Sequence, residues 1–443
     1  MPNTLSKNTH LREVLALALP AAFKHLLDIL QLLIDMIMVG MINVAALAAV
    51  GMSMQFMMVI NVIMTLYIVG GNAIISRLIG EGRKHRASSL LYSLGLFAIA
   101  IAVPITLLGY FNAESFYLWM GAEADLASFG GDYFEIILLG MPLIFLDALM
   151  YNALSAAGDT KSSLYIKIFS ALINLILNYL FIFGHGGFEA MGIAGAAYAT
   201  VIAYGINIVI YGLLLRRKTS KLHLIRRFNR VDLKRSLAVG KHASLDRMMS
   251  VTSFILFVWV ITAYGTEAIA GYQVGLRIEG LAFMPGFGFA IAATALVGQN
   301  LGAKRLEAAY ETGLYAIKIA ALFMGTLGLF LALFPAFFIG FFTQDSATIE
   351  AASIYLQLVG ISQVPLAMTF VINGALRGAG ATKTTLRVNV TSLWVLRVIP
   401  SLVLYYLGFE LIWIFVAMTV ETYIKGGVFW YLYQKKRWQN TQV

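Results

Sequence analysis

Four ionisable residues sit together in an otherwise apolar stretch near the start of the chain: Lys24, His25, Asp28 and Asp35, within AAFKHLLDILQLLIDMIMVG. Positions 24, 28 and 35 are separated by four and then seven residues, which places them on one face of a helix. Lys24 and Asp28 can pair locally at i,i+4. Asp35 lies about 10 Å further along the axis, too far to share a proton with Asp28 within one helix. It titrates largely alone, which suits reversible binding of a proton or small cation. Asp35 is therefore the first candidate for a coupling carboxylate, with Asp28 as a second. The competing reading is a structural carboxylate that bonds neighbouring helices.

Other polar groups recur in apolar surroundings. Asp246 stands in GKHASLDRMMS, and Arg277 and Glu279 stand in GLRIEGLAFMP. The i,i+2 spacing puts Arg277 and Glu279 on opposite sides of a helix, so they find different partners. Glu279 can neutralise a cationic substrate or pair with Arg247. No cysteine is present, and six histidines are scattered without metal-ligand spacing, so no metal site is expected. HExxH, GxSxG and P-loop motifs are absent, which argues against an enzyme and against ATP-driven work. Asn389-Val-Thr391 matches a glycosylation acceptor by pattern only, because it falls in an apolar segment.

The elements that position these groups follow from composition. Hydrophobic residues make up 60% of the 443, charged ones 12%, and mean hydropathy is +0.81. Soluble domains carry roughly a quarter charged residues, so this chain belongs in a bilayer. A spanning helix needs about 20 apolar residues. Twelve segments qualify: 14–38, 47–76, 88–111, 127–152, 162–183, 192–215, 236–264, 268–298, 310–340, 350–374, 384–407 and 411–433. The polar start, MPNTLSKNTHLREV, does not read as a cleavable signal peptide. Loops after even-numbered spans hold Lys and Arg, including the run RRKTSKLHLIRRFNRVDLKR. Loops after odd-numbered spans hold acids and neither Lys nor Arg. The positive-inside rule then places both termini and the basic loops in the cytoplasm. A net charge of +10 is thereby explained by topology, and a nucleic-acid partner is not expected.

The chain also repeats itself. ALSAAGDTKSSL at 153–164 returns as ALRGAGATKTTL at 375–386, a shift of 222 residues. The same shift aligns Gly80 with Gly302, Ala46 with Ala268 and Tyr133 with Tyr355. The expected fold is all-α and membrane-integral, with two six-helix lobes related by a pseudo-two-fold axis along the membrane normal. The lobes are expected at 1–215 and 236–443, joined by a cytoplasmic linker at 216–235. Each copied segment reads as a turn after a spanning helix, with glycine supplying a positive φ. The shift also relates Lys24 to Asp246, which suggests that the two approach across the lobe interface as a gate.

LIDMIMVG at 33–40, GIAGAAYAT at 192–200, MPGFGFAIAATALVGQNLGA at 284–303 and ALRGAGATK at 375–383 carry a resemblance. Over essentially its whole length the chain resembles the MATE family of multidrug and toxic compound extrusion transporters, of the bacterial NorM/DinF-like kind. The resemblance implies efflux of organic cations or drugs by alternating access, antiported against protons or Na⁺, from a bacterial inner membrane. It implies small cationic or zwitterionic substrates, no cofactor beyond the ion gradient, and lipid as the surrounding partner; a monomer suffices. Asp35 occupies the family's first-span acid. Asn174, Asn178 and Thr200 occupy its N-lobe pocket positions as substrate-binding candidates. Asn178 stands where many relatives have Asp, which puts a two-aspartate N-lobe mechanism in doubt. Asp246 matches the acidic position some relatives use for ion coupling in the C-lobe, but Ala381 stands where they have a further acid, so a carboxylate-rich Na⁺ site looks incomplete and coupling tilts toward protons. A flippase for lipid-linked cargo is the alternative, and it calls for a strongly cationic central cavity.

Overall fold

A computed structural model describes residues 7–441; residues 1–6, the first part of the polar start of the chain, and residues 442–443 lie outside the described residues. Among the described residues every regular element is helical. The first six spans comprise α1 (Lys7–Gly40), α2 (Val44–Gly80), α3 (Lys84–Tyr110), the short loop helix α4 (Ala113–Trp119), the pair α5 (Ala124–Leu139) and α6 (Met141–Ala156), α7 (Thr160–Phe183) and α8 (Gly192–Arg216). The second six comprise α9 (Arg230–Thr262), α10 (Thr266–Gly302), α11 (Leu306–Leu333), the short α12 (Pro335–Ile339), the pair α13 (Ser346–Ile361) and α14 (Gln363–Gly378), α15 (Thr382–Thr391) continuing into α16 (Ile399–Tyr406), and α17 (Leu411–Gln434). Among the described residues ten helices are long and apolar enough to cross a membrane, and twelve spans result when each bent pair counts as one. Large apolar side chains such as Trp119 (84% exposed) and Phe111 (78%) face outward. Lipid is the solvent that suits them.

Two spans expected as continuous helices are broken. α5 and α6 meet at 51° across Gly140, and α13 and α14 at 58° across Ser362. Pro142 and Pro365 follow closely, and a proline's missing N–H and bulky ring end the preceding helix. Pro335 likewise ends the ninth span at Leu333, short of the expected 340. In the eleventh span, Ser392–Val398 widens into a π-helical turn just before Pro400. That proline cannot donate to the ladder, and the chain takes up the slack upstream. The copied segments are turns: Gly158 and Gly380 both take φ of +81°.

The two lobes interlock at the end that carries the basic loops. The contacts obey the same 222-residue shift as the sequence. Gly288 of α10 faces the Ala18 carbonyl of α1, and Gly240 of α9 faces the Leu66 carbonyl of α2. Gly302 faces Arg77, and Gly80 faces Gln299. A Cβ at any of these four glycines would enter the opposing backbone. Apolar packing gives no hydrophobic gain between helices in lipid, so close approach through small residues supplies the attraction. The first helix of each lobe also reaches across. Val14 and Ala18 of α1 are buried in the core formed by α10, α11 and α14, while Leu233 of α9 joins the core of α2 and α3. His10 bonds Thr312 (3.0 Å) and meets Glu311 (3.2 Å), and its symmetry counterpart Asp232 receives both arms of Arg86 at 2.6 Å.

Candidate functional site

Within the first six spans, α1, α6, α7 and α8 turn polar residues toward one another. Asp35 accepts a hydrogen bond from the Asn178 amide of α7 at 2.6 Å, and Asn178 also donates to Asn174 at 3.3 Å. Both asparagines are fully buried. No ion pair to Asp35 occurs among the described residues. Asp28 is the opposite case. Lys24 approaches it at 2.7 Å, Lys167 of α7 at 2.8 Å and His25 at 3.6 Å. Lys167 also donates to Gln31 at 2.5 Å, and Lys24 lies 4.1 Å over the Tyr151 ring. Asp147 of α6 takes one amide bond, from Asn207 of α8 at 2.9 Å. Lys24, Asp28, Asp147, Lys167 and Thr200 line a cavity of about 70 Å³.

The second six spans organise their charges differently. Asp246 of α9 accepts from Arg377 of α14 and from Asn389 of α15, each at 2.9 Å. Glu421 of α17 is fully buried and shared by Arg397 at 2.6 Å, Lys425 at 2.9 Å and the Ser392 hydroxyl. Arg397 comes from the π-helical turn, whose extra residue per turn aims it at α17. Glu279 of α10 accepts from Tyr355 at 2.5 Å and from Gln363 at 3.5 Å.

Between the lobes, beyond the interlocked glycines, lies a cavity of about 490 Å³. Its lining includes His25, Asn61, Asn72 and Asn152 from the first lobe. Asp246, Arg247, Arg377, Asn389 and Lys425 come from the second. Phe287 and Phe370 stack at 4.9 Å on one side of it.

Several sequence expectations meet this geometry. Asp35, Asn174 and Asn178 come together in one bonded group, while Thr200 joins the neighbouring N-lobe cavity instead. Lys24 and Asp246 do not form the expected cross-lobe gate: with this end of the lobes interlocked, each is held in its own lobe, by Asp28 and by Arg377. The closer, opposite-signed partner wins in each case. Glu279 does not pair with Arg247, because Tyr355 and Gln363 already satisfy its carboxylate. Asp147, Lys167, Arg397, Glu421 and Lys425 were not anticipated. The signal was there, since every one is an ionisable residue within a span and so a functional candidate by default. Among the described residues no cluster of His, Asp or Glu could hold a metal ion.

Comparison with known proteins agrees with this architecture. The MatE family model matches residues 20–180 and again 243–403, once in each lobe. "Probable multidrug resistance protein NorM" of Thermotoga maritima is 28% identical, over 98% of this chain and 94% of its own length. The protein of the same name from Mannheimia succiniciproducens is 28% identical over 88% and 87%. Among solved structures, a Vibrio cholerae MATE transporter superposes with a TM-score of 0.89 at 22% identity, covering 97% of each chain. A MOP superfamily transporter from Pyrococcus furiosus gives 0.88 at 22% identity, covering 98% and 97%. With both halves matched by one family model and the same twelve-span architecture, this chain belongs to the MATE family.

Proposed function

We propose that this protein is a secondary active exporter of amphipathic, drug-like organic molecules, cations and zwitterions among them, driven by exchange for protons at Asp35. The observation that carries this reading is the contrast between two carboxylates on one helix. Asp28 is compensated by two lysines, so protonating it would strand two cations in the membrane interior. Asp35 is held by one neutral amide, so it can take up a proton without leaving a charged partner unpaired. The names of the relatives support multidrug export as the task. Interlocked lobes at one end and a cavity beyond them support alternating access, with the lobes at 1–215 and 236–443 rocking about the linker at 216–235. The basic loops support a cytoplasmic location for that end and for both termini. With the basic end closed, the cavity then faces the outside. Without any nucleotide-binding or catalytic motif, the chemistry is transport alone.

The test is efflux of ethidium from proteoliposomes under a pH gradient or a Na⁺ gradient, with wild type and Asp35→Asn side by side. Proton-driven efflux that disappears in Asp35→Asn is the expected result. Na⁺-driven efflux that survives the substitution would overturn it and move coupling to Asp246. A flippase for lipid-linked cargo is the second reading, and one observation favours it: the C-lobe wall of the cavity is rich in cations.

A further inference from the structure

The inter-lobe cavity is lined by three basic side chains and one carboxylate: Arg247, Arg377 and Lys425 against Asp246. Behind this wall, Arg397 and Lys425 share Glu421. Arg247, Arg377, Arg397 and Lys425 thus gather around Asp246 and Glu421. Buried cations are tolerated when they are compensated; Arg377, Arg397 and Lys425 each have a carboxylate partner, and Arg247 has none among the described residues. Asp246 is engaged by Arg377 and Asn389. Arg247 forms no ion pair and no side-chain hydrogen bond among the described residues, and it is exposed to the cavity it lines. Arg377 keeps a buried Nε without a partner, and Asn373, also in the lining, keeps a buried Oδ1 without one. The facing N-lobe wall is neutral apart from His25: Asn61, Thr65, Asn72 and Asn152.

We propose that Arg247, with Arg377 and Lys425 beside it, forms a site for an anionic oxygen head group, a carboxylate or a phosphate, borne by an amphipathic cargo. The guanidinium fork matches both groups through two parallel hydrogen bonds. The Phe287–Phe370 stack offers a face for the cargo's apolar or aromatic body. The carboxylate in this lining, Asp246, is already paired with Arg377 through Oδ2, although its Oδ1 is left without a partner. With Arg247 unpaired beside it, the acid group selects zwitterions and organic anions over simple cations. This rests on the reading that cargo occupies the inter-lobe cavity, and it narrows the cargo class.

The test is equilibrium binding without any gradient, in nanodiscs of neutral-headgroup lipid. The probes are rhodamine 110, which carries a free carboxylate, and rhodamine 123, its methyl ester. Fluorescence anisotropy should show wild type binding the acid about tenfold or more tightly than the ester. Arg247→Gln should remove that preference, and Arg247→Lys should keep part of it. Equal or tighter binding of the ester by wild type would overturn the proposal without any mutant. So would an acid-to-ester ratio unchanged in a monodisperse Arg247→Gln. Repeating the titration with phosphatidylglycerol in the discs separates the two sources of the head group. Competition marks a lipid phosphate as the occupant, and its absence marks a soluble acid. Asp35→Asn should leave the ratio intact, so failure of proton coupling shows in efflux while failure of cargo recognition shows in binding.

Discussion

The two lobes share a backbone plan and differ in what they bury. A shift of 222 residues carries the inter-lobe contact Ala18–Gly288 onto Gly240–Leu66, and Gly80–Gln299 onto Gly302–Arg77. It also carries the helix break at Gly140 onto Ser362. The polar interiors do not follow. Asp35 and Asn178 correspond to Phe257 and Pro400, and Phe257 is buried in an apolar core. Glu421 and Arg397 correspond in turn to Ala199 and Leu175. Backbone contacts are thus held in common because both lobes must form one symmetric seal. Side-chain chemistry has diverged, as the proposed division between coupling in one lobe and recognition in the other requires. The N lobe holds a carboxylate, Asp35, that forms no ion pair among the described residues, and the C-lobe wall of the cavity holds an arginine, Arg247, that forms none.

The most severe way to break the common part is to wedge the seal. Gly240→Val and Gly288→Val each place side-chain atoms where the opposing backbone carbonyl stands. Neither backbone can retreat without separating the lobes. Each substitution should cut gradient-driven efflux at least tenfold, and the two should agree within a factor of about three. Proteoliposome flux checks this. A tenfold difference between them would show that the lobes do not share the closing load, whatever their sequences suggest.

A smaller effect should expose the difference between the interiors. Asp28 and Glu421 are each shared by two cations, Lys24 with Lys167 and Arg397 with Lys425. Glu421 is fully buried, whereas the Asp28 side chain is 34% exposed to its cavity. Removing one member of a buried pair costs about 3–5 kcal/mol, because the remaining charge is stranded. Water in the Asp28 cavity screens part of that penalty. Glu421→Gln should therefore lower the thermal midpoint in detergent far more than Asp28→Asn. Equal shifts would mean that water reaches the Glu421 site as freely.

These contrasts also show which features the sequence disclosed. Twelve spans and the repeat were legible because apolar length and a fixed shift are properties of sequence alone. The Lys24–Asp28 pair was legible because both residues lie on one helix face. Lys167 was not, since it reaches Asp28 from another helix 139 positions later, and only tertiary packing decides that meeting. Symmetry suggested Lys24 with Asp246, yet the shift relates residues about an axis without specifying which of them touch. The breaks at Gly140 and Ser362 were hidden because hydropathy continues across them, although Pro142 and Pro365 stood beside each one. The cluster of basic side chains in the cavity emerged only when Arg247, Arg377 and Lys425, from three helices, were placed on one wall.

The smallest expected effect lies in the repeated turn itself. Asp159 accepts a hydrogen bond from the Ser162 N–H at 3.1 Å and so caps α7. The shift carries Asp159 onto Ala381, which begins α15 without any side-chain cap. A helix start leaves four N–H groups unpaired, and an aspartate acceptor there is worth about 1 kcal/mol over alanine. Asp159→Ala should lower the thermal midpoint slightly and leave efflux unchanged. Ala381 is only 7% exposed, so a small acceptor is the appropriate converse: Ala381→Ser should recover about half that stabilisation for α15. If Ser at 381 destabilises instead, the two turns differ in packing as well as in capping. The match of both glycines at φ of +81° would then be the extent of their likeness.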